Sequence, residues 1–95
     1  PAVRMARIVC RESDAAEARE HARELAVRLK ANRELTVLGP MEAPIAKIAN
    51  YYRFAVEVYA ATPGVLQRGL NELRKAGLLK SDTRTAVDVD PQSLL

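Results

Sequence analysis

The four aromatic side chains of this 95-residue sequence, Tyr51, Tyr52, Phe54 and Tyr59, all fall between positions 51 and 59, and Arg53 stands among them. In an extended segment successive side chains leave on opposite faces. Tyr52, Phe54, Val56, Val58 and Ala60 then point one way and offer an apolar face to a core. Tyr51, Arg53, Ala55, Glu57 and Tyr59 point the other way, as a mixed face that meets water. Aromatic rings on an open sheet stack on bases, and neighbouring guanidinium groups hold phosphate. A neighbouring domain packed over the same face is the competing explanation. Spacing alone leaves both open.

Other chemistry is thinner. The sequence has no GxxxxGK[ST], no GxGxxG and no GxSxG, so the common phosphate cradles and the nucleophile elbow are missing. His21 is the one histidine, about 80° from the middle of its helix's apolar stripe, a flank position at the edge of the core. No nucleophile or carboxylate partner for it is singled out. Asp88 and Asp90 would emerge on the same face of a strand, but a divalent ion wants more oxygen ligands. With Pro91 they read as a charged strand end and a turn. Cys10 is the one cysteine, which excludes an intrachain disulfide and a cysteine-based zinc site and fits a reducing cytoplasm. No catalytic centre and no metal site are expected in this chain. Gln67, Asn71 and Arg74 form an outer row on a helix, with Arg68 and Lys75 beside it. Such a row is either a solvated face or a seat for an acidic peptide or phosphate.

Six elements must position these groups. Met5–Cys10 is short, partly β-branched and bounded by charge, so it reads as a strand. Ser13 or Asp14 caps a helix over Ala15–Ala31, whose Ala18, Ala22, Leu25, Ala26 and Leu29 make one stripe. Leu35–Leu38 reads as a strand stopped by Gly39-Pro40, followed by a loop over Gly39–Ala49 with one helical turn at Ala46–Ala49. Tyr51–Ala60 is the clearest strand. Thr62-Pro63 opens a second helix with a hydroxyl cap and a proline at the first helical position. Leu66, Leu70 and Leu73 are its buried stripe, and Gly77 its stop. Thr85–Val89 is the last strand. The order strand, helix, strand, strand, helix, strand predicts an α+β, ferredoxin-like split βαβ sandwich, with a four-stranded antiparallel sheet and both helices on one face. The first and third strands then lie at the centre, with Arg7, Val9, Tyr51, Arg53, Glu57 and Tyr59 facing outward.

Length and composition agree with a single domain over 1–95. Hydrophobic residues make up 48% and charged residues 28%, so a core without metal or disulfide is feasible. The net charge of +3 is small, but its placement is uneven. Residues 1–43 hold eight basic and seven acidic side chains, and residues 44–87 hold seven and three. The excess from Lys47 to Arg84 suits a polyanion, and surface solubility explains it equally well. No run approaches a membrane span. Pro1 is an unusual start, so the chain is expected to be cut from a longer protein.

Gly39-Pro40, Glu42-Ala43-Pro44-Ile45, Tyr52-Arg53-Phe54 and Asp88-Val89-Asp90-Pro91, with the opening PAVRMARIVCRES, occur in register across nearly the whole chain. Together they resemble the C-terminal domain of the primosomal replication-restart helicases, the PriA or primosomal protein N′ family. The resemblance implies a DNA-binding accessory domain of a replication-restart protein that contacts branched or single-stranded DNA. It implies ATP and zinc only in upstream domains of the parent. It also implies docking of the tail of single-stranded DNA-binding protein partly on the second helix, where Gln67 matches a polar contact and Asn71 and Arg74 lie alongside. The sequence departs from the family at Pro63, where a basic residue is often supplied, and at Thr85-Ala86, where an aromatic is common. The expected DNA contacts are Arg53, Lys47, Arg7 and Arg84, with Tyr51 as a stacking platform. The alternative is a protein-interaction module docking sibling helicase lobes or that tail.

Overall fold

The computed structural model describes residues 3–79 and 84–89. Its elements are β1 (Arg4–Glu12), α1 (Ala15–Lys30), β2 (Leu35–Ile48), β3 (Tyr51–Ala60), α2 (Pro63–Lys75) and β4 (Thr85–Val89). The strands form one antiparallel sheet in the order β2-β3-β1-β4. This is the ferredoxin-like arrangement expected, with β1 and β3 central.

The helices start where their caps place them. The Asp14 carboxylate accepts from the Glu17 N–H at 3.1 Å, and the Thr62 hydroxyl accepts from the Val65 N–H at 3.2 Å. Each side chain satisfies a backbone donor that a first helical turn leaves unpaired. α2 ends before Gly77, whose φ of +75° turns the chain away. Between helices and sheet lies the main core, built from Ile8 and Cys10 of β1, Leu25 and Leu29 of α1, Val56 and Val58 of β3, and Leu66, Leu70 and Leu73 of α2.

Two expectations are corrected. β2 does not stop at Gly39-Pro40: it runs on to Ile48, through the stretch read as a loop with a helical turn. As an edge strand it pairs only with β3, so the missing N–H groups of Pro40 and Pro44 can be tolerated there. The accommodation is visible as register breaks between Leu38 and Met41 and between Glu42 and Lys47. Ala49 and Asn50, both at positive φ, then close a two-residue turn in which Ile48 stands opposite Tyr51. The outer face is also less open than alternation suggests. The irregular part of β2 brings Ala43 and Met41 against Val9 and Ala55, a small apolar cluster on the side away from the helices.

Cys10 has no exposed surface. Burial first, and the Glu12 carboxylate second, push its thiol up to about 12. A raised thiol pKa means that folding favours the neutral form. The associated stability is therefore present below the unfolded value of 9.0 and is lost as pH rises toward the folded value. Cys10 is expected to resist iodoacetamide at pH 8 while the chain is folded. Rapid alkylation under native conditions, read by mass, would contradict this burial.

Candidate nucleic-acid interface

The two central strands bring Arg11 of β1 directly opposite Arg53 of β3. Both positions alternate with core residues, so they share the sheet face that carries Val9 and Ala55. Like charges set opposite each other across strands are destabilising, and neither guanidinium forms an ion pair among the described residues. Arg11 lies 5.2 Å from the ring centroid of Tyr51, and its Nε is buried without a hydrogen bond. Arg53 Nη1 donates to the Ile45 carbonyl at 2.7 Å, which ties the irregular part of β2 to β3.

The same end of the sheet carries Lys47, whose Nζ stands 4.9 Å from the centre of the Tyr52 ring. Tyr52 is thus half-buried beneath a lysine, outside the main core where alternation placed it; Phe54 packs against that core. Tyr51 is 41% exposed, and Ile45 and Ile48 beside it are exposed as well. The arrangement unites cations, a ring and apolar side chains around one hairpin end.

Of the residues singled out from the sequence, Arg53 and Tyr51 therefore share the outer face, whereas Lys47, paired with Tyr52, lies over that ring on the helix side of the same hairpin end. Arg7 does not join them. It lies further along β1, held by Glu57 at 3.1 Å, while the Tyr59 hydroxyl donates to the other Glu57 oxygen at 3.0 Å. Arg7 also stands opposite Asp88 of β4, so two acidic residues flank it. The Arg84 carbonyl accepts from the Arg11 N–H at 2.8 Å, next in line to the arginine pair, but this residue lines a groove with Glu12, Glu17 and Glu20 on the helix side. Gln67, Asn71 and Arg74 form one exposed row on α2, where Arg74 Nη1 donates to Asn71 Oδ1 at 2.7 Å. Asp90 of the acidic pair lies outside the described residues. Arg11 escaped sequence reading because β1 was ended at Cys10. The pairing of Glu12 with Tyr52 shows that the strand reaches as far as its neighbour does.

Over residues 1–92 the chain matches the family described as the primosomal protein N C-terminal domain. It belongs to this family. The replication restart protein PriA of Haemophilus influenzae is 43% identical over 61 residues, 63% of this chain. The chain spans only 8% of that relative's length. Among solved structures, the de novo designed protein Foldit4 superposes with a TM-score of 0.61, covering 92% of each chain at 16% identity. That likeness is one of fold alone. Among the described residues of this primosomal protein N C-terminal domain, no helix is long and apolar enough to cross a membrane.

Proposed function

We propose that the outer sheet face at the hairpin end binds the phosphate backbone of branched or single-stranded DNA, as an accessory domain of a replication-restart protein in the cytoplasm. The observation that carries this reading is Arg11 opposite Arg53 without an ion-pair partner among the described residues. Two cations held side by side at a cost to folding are relieved by an anion, and phosphate suits guanidinium geometry. The exposed Tyr51 adds a ring on which an unpaired base stacks, and Lys47 adds positive charge at the same hairpin end from the other face of the sheet. Arg7, already answered by Glu57, contributes less than the hairpin group, and Arg84, which lines the groove on the helix side, stands apart from it. No reaction is assigned to this chain. In this reading ATP and zinc belong to other domains of a helicase-like parent.

Fluorescence anisotropy with a forked oligonucleotide at low salt tests the proposal. Binding is expected to be independent of sequence and to weaken steeply with added salt, because cations released from DNA drive it. Arg53→Glu should reduce it, whereas Arg53→Lys should retain part of it. Binding that ignores both salt and Arg53→Glu would exclude this face.

A second reading rests on the exposed row of α2, whose last turn adds Arg74 and Lys75. It would receive the acidic tail of single-stranded DNA-binding protein, or a sibling domain. Calorimetry with such a tail peptide should give heat that Gln67→Ala abolishes while DNA binding is unaltered. Absence of heat with the unsubstituted domain removes this reading.

A further inference from the structure

Among the described residues three aromatic rings lie under a cation, and the three are divided between the two faces of the sheet. Arg11 covers Tyr51 on the outer face, whereas Lys47 covers Tyr52 and Arg19 of α1 stands 5.7 Å from the centre of the Phe54 ring. Tyr52 and Phe54 alternate with Tyr51 and Arg53 along β3, so both belong to the helix side. Neither Lys47 nor Arg19 forms an ion pair among the described residues. Arg19 is exposed, and its own helix offers it no carboxylate. The positions three and four residues to either side are Ala15, Ala16, Ala22 and Arg23. Glu12, opposite Tyr52, is drawn instead to His21 Nδ1 at 3.5 Å, while His21 Nε2 donates to the Leu78 carbonyl at 2.9 Å. Two cations on two rings are therefore left for a ligand on this side as well.

We propose that a single strand of DNA rounds the hairpin turn at Ala49-Asn50 and continues on the helix side, held by Lys47 and Arg19. This inference rests on the outer-face reading and extends the same site. The turn is no obstacle, because both of its side chains are short, uncharged and exposed. Tyr52 and Phe54 stand about 6.6 Å apart along the strand, so their cations mark two successive contacts. A guanidinium resting on a ring donates to phosphate, and a base stacks on its plane. The path closes at Glu42, an exposed carboxylate opposite Phe54 that repels a phosphate backbone. An acidic peptide would also meet the cations. Successive rings favour a chain that brings a flat base at every step.

Thymidine oligonucleotides of about 4 and about 15 nucleotides distinguish the two faces, because the shorter fills one face and the longer spans both. Both are titrated into the 95-residue chain at low salt and followed by the ring resonances of Tyr51, Tyr52 and Phe54. The longer one is expected to bind more tightly, and only it should shift Tyr52 and Phe54. Arg19→Gln should weaken the longer oligonucleotide roughly tenfold, the loss of one charged hydrogen bond, and leave the shorter unaltered. Its melting temperature should stay near that of the parent, since the side chain is exposed. Glu42→Gln should tighten the longer oligonucleotide alone. Arg53→Glu should weaken both. The helix-side path is overturned if Arg19→Gln costs nothing, if it costs both lengths equally, or if the Tyr52 and Phe54 signals ignore the longer strand. With Arg53→Glu still weakening the shorter strand, the outer-face reading survives that failure. If Arg53→Glu leaves the shorter strand bound as before, the outer-face reading fails and the extension falls with it.

Discussion

Arg11→Glu combined with Arg53→Glu is expected to weaken binding to a forked oligonucleotide at low salt by about two orders of magnitude or more. Hydrogen bonds to charged groups contribute about 1.5–3 kcal/mol each. Losing two removes at least about 3 kcal/mol, and every 1.4 kcal/mol is a factor of ten. Reversal of sign adds repulsion to that loss. The dependence of log affinity on log salt should also flatten by about two, one for each phosphate contact removed. Arg28→Glu, in the last turn of α1 and exposed, changes net charge equally per substitution and should leave the affinity nearly unaltered. Equal losses from Arg28→Glu and from either sheet arginine would mean that overall charge, rather than the paired guanidinium groups, governs binding. Two glutamates then face each other where two arginines did, so the cross-strand repulsion is kept with its sign reversed, and the folding effect should be a small loss from the contacts of Arg11 with Tyr51 and of Arg53 with the Ile45 carbonyl. Urea melts of the double variant therefore distinguish a damaged surface from a damaged fold.

The second large effect is structural. Gly39→Ala is expected to lower the melting temperature by at least about 8 °C. Gly39 has a φ of +114°, and a Cβ built there would sit 2.8 Å from the Ala55 carbonyl oxygen and 3.3 Å from the Met41 nitrogen. Both obstacles are backbone, so no side chain can swing aside. A non-glycine residue in such a region costs of order 1–3 kcal/mol before the clash is added. In a domain this size each kcal/mol shifts melting by roughly 4–8 °C. Gly77→Ala provides the contrast: its φ is +75°, but a Cβ there meets nothing within 4 Å, so only the smaller conformational cost remains. Equal melting temperatures for the two variants would show that the space around Gly39 is not what resists substitution.

Much of this fold was legible because local signals agreed. Alternation marked Tyr51–Ala60, and the capping side chains at Ser13-Asp14 and at Thr62 marked both helix starts, with the structure choosing Asp14 of the first pair. The order of elements then sufficed to place β1 and β3 at the centre. β2 was hidden for a physical reason: proline and glycine punctuate a chain locally, whereas an edge strand has one row of backbone groups free to lose a donor. The stretch read as a loop in turn concealed the apolar cluster of Met41, Ala43, Val9 and Ala55. The site was legible in part. Arg53, Lys47 and Tyr51 stood close in sequence. Arg11 is far from them in sequence, and only cross-strand register brings it to Arg53. Arg7 looked equivalent from its outward position, but the Glu57 that occupies it comes from the neighbouring strand. The contact of His21 with Leu78 spans 57 positions, beyond any periodicity.

The broken course of β2 has one more consequence. An antiparallel sheet that ends in a straight, fully spaced row of amides and carbonyls invites a further strand from another molecule, and repeated addition leads to aggregates. Here that border bends twice and carries two residues that have no hydrogen to donate. Material held at high concentration thus finds no regular template along this margin of the sheet.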